Sequence, residues 1–163
     1  MRLFLGVKAK IECYEEIKKE LFNSFYGKWV EEENLHTTLY FFGEVKDSKE
    51  IEEKLQNIVF PKTKIELNGL GSFGYPPKIL FADLKKNIYK KSHKKLEEIF
   101  GKTNKPFRPH VTLIRIKRIL NDDYKKVLRR YRYKNIGYLE REVVLFKSTL
   151  TPKGPIYTVL KEM

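Results

Sequence analysis

The feature that most constrains this chain is a four-residue pattern, His-x-Thr-Leu, that occurs twice. It begins at His36 and again at His110, and the whole protein of 163 residues has only 3 histidines. At ordinary amino-acid usage, with about 5% Thr and about 10% Leu, one histidine begins such a pattern about once in 200 cases. Two matches among three histidines would arise about once in 10⁴ sequences. We interpret the pair as an internal repeat whose copies share one chemical task.

Both copies lie in strand-like runs of residues, which gives the pattern a geometric meaning. Side chains at positions i and i+2 of a strand point to the same face. His36 therefore stands beside Thr38, and His110 stands beside Thr112. Each strand presents a proton-transfer group next to a hydroxyl group, and we expect the two strands to face each other across a cleft.

Strand and helix signals alternate along the chain, and no linker rich in Gly, Ser or Pro divides it, so one domain over residues 1–163 is predicted. Helices do not follow every strand, which indicates an α+β fold with a mostly antiparallel sheet. Residues 69–77, with three glycines and two prolines, are predicted to be irregular. The predicted strands are 2–8, 35–42, 62–68, 78–84, 110–117, 139–147 and 156–161, and the predicted helices are 12–25, 48–59 after an N-cap at Asp47, 88–100 and 122–131.

Two histidines that flank a cleft suit in-line displacement at phosphorus. Imidazole titrates near pH 6.5, so one ring can take a proton from water while the other gives a proton to the departing oxygen. The hydroxyls of Thr38 and Thr112 could donate hydrogen bonds to the non-bridging phosphate oxygens. Zinc sites usually need three or four protein ligands, and no further ligand accompanies these histidines. We therefore expect no metal and no cofactor.

The composition favours a polyanionic partner. Lys and Arg number 34 against 21 Asp and Glu, which gives a formal charge of +13. Such a surface attracts nucleic acid, although a Lys/Glu-rich surface is also common in thermophile proteins. Cys13 is the only cysteine, which suits a reducing compartment. No apolar run approaches the ~20 residues of a membrane helix, so we expect a soluble, cytoplasmic protein.

Four blocks of the sequence resemble the 2H phosphoesterases, and in particular the branch of RNA 2′,3′-cyclic phosphodiesterases, also known as 2′-5′ RNA ligases. The blocks occur in the family's order, and the resemblance covers effectively the whole chain. They are residues 1–4, residues 35–45 around the first motif, residues 69–73 (Gly-Leu-Gly-Ser-Phe) and residues 107–115 around the second motif.

The resemblance implies a bilobal α+β fold, in which two pseudo-symmetric antiparallel sheets carry the motifs into a central groove and helices lie outside. It implies metal-independent hydrolysis of RNA 2′,3′-cyclic phosphate ends to 2′-phosphates, with reversible 2′-5′ ligation as a side reaction. His36 would be the proton donor to the 3′ oxygen, and His110 the proton acceptor from water. Arg115 would contact the phosphate end and Phe41 the base. The implied partner is RNA with a cyclic phosphate terminus, tRNA fragments among the candidates, and we expect a monomer.

The spacing raises one difficulty for Phe41 and Arg115. Each lies five residues after its histidine, an odd offset that strict alternation places on the opposite face. They reach the cleft only if each strand ends, twists or bulges just after the motif. Elsewhere, His93 is expected on the solvated side of a helix, and Arg2 and Arg108 fit either phosphate contacts or surface ion pairs.

Three hypotheses remain open on the residues. The first is the cyclic phosphodiesterase. The second is an RNA-binding module that keeps the fold and a positive groove but has no significant turnover. Separately, His36 and His110 could be ordinary half-buried strand histidines. The third keeps the fold but acts on another cyclic phosphodiester, or makes 2′-5′ bonds as its main reaction.

Overall fold

The computed structural model describes residues 1–163 and shows an α+β fold in which all strand pairings are antiparallel, as expected. The strands are β1 (Arg2–Ile11), β2 (Phe25–Trp29), β3 (His36–Glu44), β4 (Ile65–Phe73), β5 (Ile79–Leu84), β6 (His110–Ile119), β7 (Asn135–Thr151) and β8 (Gly154–Glu162). The helices are α1 (Tyr14–Leu21), α2 (Lys49–Leu55), α3 (Lys90–Phe100) and α4 (Tyr124–Tyr131).

The eight strands form one continuous sheet rather than two separate ones. Six of them pair in a closed ring, β1-β3-β6-β5-β4-β7, because β7 pairs with both β4 and β1. The remaining two are edge strands, β2 on β6 and β8 on β7. The two motif strands touch at a single pair, Thr37 opposite Val111. The two predicted sheets are thus halves of one sheet, and the motifs lie where the halves meet.

The apolar residues of this sheet and its helices form one core of 31 buried residues. Helix α1 buries Tyr14, Ile17 and Leu21 on one face, as their helical spacing predicts. Helix α4 buries Tyr124, Val127 and Tyr131 in the same manner. Since the helices cover the sheet from outside, the opposite face at the β3–β6 junction stays open.

Several predicted boundaries were wrong. Helix α1 ends at Leu21, and Phe25–Trp29 form the strand β2, which was not predicted. Helix α2 spans only Lys49–Leu55, and its N-cap residue is Ser48 rather than Asp47, although the Asp47 carboxylate accepts a hydrogen bond from the Lys49 amide at 3.1 Å. Gly69–Phe73, predicted to be irregular, continue β4 because the absent side chain of Gly71 leaves room for the Phe81 ring.

No helix of the structure combines the length and the apolarity needed to cross a membrane.

Candidate active site

A cavity of about 600 Å³ opens where β3 and β6 meet. The six residues predicted to form the site line it, namely His36, Thr38, Phe41, His110, Thr112 and Arg115. Its volume lies within the range of about 300–1,000 Å³ typical of small-molecule sites. The structure therefore brings the two motifs, 74 residues apart in the sequence, into one groove.

Two β-bulges explain how Phe41 and Arg115 reach this groove. In the pairing of β3 with β1, Thr38 lies opposite Gly6 and Tyr40 lies opposite Leu5, so Leu39 has no partner. In the pairing of β6 with β5, Leu113 is left out in the same way. One extra residue reverses the alternation of side chains beyond it.

The consequence is visible in the burial of each strand. Leu39 and Tyr40 are both buried, and Phe41 then returns to the groove face with 51% of its surface exposed. Leu113 and Ile114 are likewise both buried, and Arg115 is exposed. The odd offset of five residues is thus the signature of a bulge that both motif strands share.

The same backbone contact holds both histidine rings. Nδ1 of His36 lies 2.7 Å from the carbonyl oxygen of Asn34, and Nδ1 of His110 lies 2.7 Å from that of Arg108. A carbonyl oxygen only accepts, so in each neutral ring Nδ1 carries the hydrogen and donates it. Nε2 is then the atom of each ring that is free to take or give a proton. Nε2 of His36 lies 3.1 Å from the hydroxyl oxygen of Thr38.

Aromatic rings surround both histidines and limit their access to water. His36 packs against Phe4 and the edge of Tyr157, with ring centroids 4.9 and 5.1 Å apart. His110 packs edge-on against Phe73 and Phe81, at 4.8 and 5.5 Å. These contacts fix the orientation of both rings at a polar groove.

This burial changes how the two histidines titrate. Burial lowers the pKa of His36; the hydrogen bond to Asn34 opposes this, while His110 and Arg115 lower it further. Burial also lowers the pKa of His110, which Arg108 and Arg115 lower further and Asp83 raises. Burial therefore favours the neutral form of both rings, and a bound anion would favour their protonation.

The groove carries an excess of positive charge. Four cationic side chains line it, those of Arg2, Lys28, Arg115 and Lys153, against the single carboxylate of Glu31. None of the four cations forms an ion pair with a carboxylate. The groove thus attracts anions.

Arg2 and Arg108 differ in placement. Arg2 lines the groove with its guanidinium 5.3 Å from the centre of the Phe41 ring. Arg108 forms a surface ion pair with Asp83 at 3.6 Å and lies over the rings of Phe73 and Phe81. For Arg108 the ion-pair alternative is therefore the one observed.

Several groove residues were missed because only the fold brings them there. Tyr157 arrives from β8 and packs on His36. Asn34, which holds His36 through its carbonyl, donates its side-chain amide to the carbonyl of Pro155 at 3.0 Å. Pairing between strands far apart in the chain determines these contacts, and no local pattern signals them.

The prediction that His93 is solvated was wrong. Only 7% of its surface is exposed, and its ring stacks on Phe107 with centroids 3.9 Å apart and planes 4° from parallel. Phe107 belongs to the segment before the second motif, outside α3. This segment covers the face of α3 that the sequence of the helix predicts to be solvated.

The structure assembles no group of three or more His, Cys, Asp or Glu side chains that could hold a metal ion.

This fold and the paired histidine motifs define the class of protein. The family model of the 2′-5′ RNA ligase superfamily matches residues 8–135, and the chain belongs to this family, the 2H phosphoesterases. Among curated proteins it is 38% identical to an RNA 2′,3′-cyclic phosphodiesterase of Methanocaldococcus jannaschii, the alignment covering 99% of this chain and 99% of the relative. It is 36% identical to one of Archaeoglobus fulgidus, covering 99% and 98%.

Solved structures agree on the fold. A protein of Thermus thermophilus superposes with a TM-score of 0.72 at 27% identity, over 100% of this chain and 97% of that one. LigT of E. coli, solved in complex with NADP+, superposes with a TM-score of 0.73 at 26% identity, over 99% and 96%. The resemblance expected from the sequence blocks is confirmed.

Proposed function

We propose that this protein hydrolyses the 2′,3′-cyclic phosphate at the end of an RNA to a 2′-phosphate, without a metal. Relatives that share 36–38% of its residues over nearly their whole length are RNA 2′,3′-cyclic phosphodiesterases. The observation that carries the proposal is the shared groove, in which two histidines are held alike through Nδ1 and leave Nε2 for proton transfer.

In the proposed reaction the two histidines act on opposite sides of the phosphorus atom. Nε2 of His110 takes a proton from water as the water oxygen forms a bond to phosphorus. The bond from phosphorus to the 3′ oxygen breaks, and Nε2–H of His36 gives its proton to that oxygen. The products are a 2′-phosphate and a 3′-hydroxyl, with His110 protonated and His36 neutral. Exchange of these protons with solvent restores the enzyme.

The remaining groove residues hold the substrate in this proposal. The hydroxyls of Thr38 and Thr112 donate to the non-bridging oxygens, where negative charge grows in the transition state. Arg115 contributes a positive charge and planar donors to the same phosphate. Phe41, half exposed at the groove, offers a flat apolar face for the terminal base.

Ligation would use the same groups with a different nucleophile. If the 5′-hydroxyl of another RNA takes the place of water, attack on the cyclic phosphate forms a 2′-5′ phosphodiester bond. Acid and base keep their roles. Both motifs and the other proposed site residues lie in one groove of this chain, and we propose that a monomer suffices for either reaction.

A labelled RNA oligonucleotide with a 2′,3′-cyclic phosphate end, incubated in EDTA, tests the proposal. The wild type is expected to release the 2′-phosphate at a rate that EDTA does not change. His36→Ala and His110→Ala are each expected to lower kcat by about 10²–10⁴-fold. A 3′-phosphate product would contradict the expulsion of the 3′ oxygen, and inhibition by EDTA would contradict the metal-free mechanism.

The same experiment separates the alternative of an RNA-binding module. Tight binding of the oligonucleotide by the wild type, with no phosphate isomer released, would favour that alternative. Thermal unfolding of each histidine variant serves as the control for folding, since both rings pack among aromatic side chains.

A further inference from the structure

The groove is longer than the histidine pair and extends to one end that the proposed chemistry does not use. At this end β2 and the segment after it form one wall, with Lys28 and Glu31 lining the cavity. The turn of the β7–β8 hairpin forms the other wall, with Lys153 and Pro155 lining it. The two sheet edges of the fold therefore meet at this end.

The strand register places Lys28 next to the phosphate-binding region. Lys28 lies directly opposite Arg115 in the antiparallel pair of β2 with β6. Directly opposed residues point to the same face, with Cβ atoms about 4.5–5.5 Å apart. Both side chains line the cavity, so a second cation stands one strand further from the histidines than Arg115.

Hydrogen bonds hold the hairpin turn in place beside Lys28. Nζ of Lys28 donates to the carbonyl oxygen of Lys153 at 3.3 Å. The side-chain amide of Asn34 donates to the carbonyl oxygen of Pro155 at 3.0 Å. Gly154, between the two acceptors, has a φ of 122°, and a Cβ there would stand 2.9 Å from Nζ of Lys28. These contacts hold the ammonium group of Lys28 next to the backbone that carries Lys153.

These two lysines have no carboxylate partner within the protein, although Glu31 lines the same end. Both side chains are exposed. An ammonium group is a compact point charge that contacts phosphate without selecting a base. A polynucleotide carries one negative charge per nucleotide, so any RNA longer than one nucleotide brings a second phosphate to this groove.

We propose that Lys28 and Lys153 form a subsite for a second phosphate of the RNA, the phosphodiester that precedes the cyclic end. This inference rests on the proposed function and adds to it the residues by which the protein would prefer an oligonucleotide to a mononucleotide. The subsite contacts no reacting atom. Its positive charge lowers KM, and it does not distinguish one base from another.

Two substrates that differ by one nucleotide, and therefore by one phosphodiester charge, test the inference: uridine 2′,3′-cyclic phosphate and the dinucleotide UpU with a 2′,3′-cyclic phosphate end. We expect the wild type to show a kcat/KM about tenfold higher for the dinucleotide. In the double variant Lys28→Met, Lys153→Met this ratio is expected to fall towards one, mainly through KM of the dinucleotide. Raising the salt concentration is expected to lower the wild-type ratio.

The matched control removes two exposed lysines from the outer helix α3, Lys91→Met with Lys94→Met, and is expected to keep the wild-type ratio. Equal kcat/KM for both substrates in the wild type, or a ratio that survives in the Lys28 and Lys153 variant, would overturn the subsite while the proposed function stands. Absence of hydrolysis of either substrate by the wild type would overturn the proposed function and the subsite together.

Discussion

Nε2 of His36 lies 3.1 Å from Oγ1 of Thr38, whereas His110 makes its one hydrogen bond through Nδ1. The two motifs are alike in sequence and in backbone, yet they differ at the atom that handles the proton. His36 is held at both nitrogens, and His110 presents an Nε2 without a protein partner. This difference fits the proposed roles, because the base must meet a water molecule while the acid must be aimed at the leaving oxygen.

The pH dependence of kcat/KM is expected to be bell-shaped, with its maximum on the acid side of pH 6.5. Burial lowers the pKa of both histidines in the empty groove. Activity is expected to rise with pH as His110, the base, loses its proton, and to fall as His36, the acid, loses its proton. Because both pKa values are lowered, both the rising and the falling side of the profile lie below pH 6.5. Bound phosphate raises both pKa values, and the profile of kcat shifts to higher pH. Initial rates from pH 4.5 to 8.5 check this order, and a kcat/KM maximum above pH 7.5 would contradict it.

Removal of the motif hydroxyls is expected to impair the chemical step. Thr38→Val and Thr112→Val should each lower kcat by about 10–100-fold, because a donor to the charged transition state is lost. KM should change less than kcat. Single-turnover rates with the cyclic-phosphate RNA measure the effect, and unchanged kcat in both variants would remove the threonines from the mechanism.

Thr37→Val is the matched control for those two variants. Thr37 points to the opposite face, is fully buried, and its hydroxyl has no hydrogen-bond partner. Replacing that hydroxyl with a methyl group is expected to stabilise the fold by about 1 kcal/mol. Activity should stay within about twofold of the wild type. Urea unfolding measures the stability change.

Phe107 is expected to position His110 from a distance. Its ring stacks on His93, and the carbonyl of the next residue, Arg108, holds Nδ1 of His110. Phe107→Leu keeps an apolar side chain but loses the stack, which should cost about 0.5–1.5 kcal/mol of stability. We also expect a fall of about threefold to tenfold in kcat with little change in KM. Phe22→Leu, at an exposed position, is the control.

A role for Phe107 in stability alone predicts a different result. The variant would then recover wild-type kcat at low temperature, where it is fully folded. A loss of kcat relative to the wild type that is the same at 10 °C and at 25 °C therefore separates positioning from loss of folded protein.

Folding stability is expected to fall as the pH drops below 6.5. Burial lowers the pKa of His93 as well as those of His36 and His110, so the unfolded chain binds more protons than the folded one in this range. The contribution of the neutral histidines to folding stability is therefore complete above pH 6.5. It is lost as the pH falls from 6.5 through their lowered pKa values. Tm measured at pH 7 and pH 5 checks the sign, and His93→Phe should reduce the difference. A higher Tm at pH 5 would contradict the expectation.

The sequence identified the centre of the candidate site because its signal is local. A histidine and a threonine two residues apart share a strand face whatever the rest of the chain does, and both motif strands were predicted. The bulges at Leu39 and Leu113 could be predicted only as a requirement for Phe41 and Arg115 to reach the cleft. Their presence depends on the register of β3 against β1 and of β6 against β5.

Other errors came from contacts between distant segments. Phe25–Trp29 has little alternation of its own and becomes a strand by pairing with β6. His93 follows the polar pattern of its helix and is buried only because Phe107 covers it. Tyr157 and Lys153 enter the groove through the pairing of β8 with β7. The partner strand of β2 lies far along the chain, and the hairpin of β7 and β8 reaches the groove only because β7 pairs with β1. A local pattern signals neither pairing.

The closed ring of six strands has a mechanical consequence. Each of the six ring strands pairs with a neighbour on both sides, although β3 and β6 do so at a single residue pair, and β7 alone contributes 17 residues to the ring. A hinge motion that separated the two halves would break that pair and distort β7, which is paired with both β1 and β4. The ring therefore resists hinge opening, and the distance between the two imidazoles is set when the sheet forms.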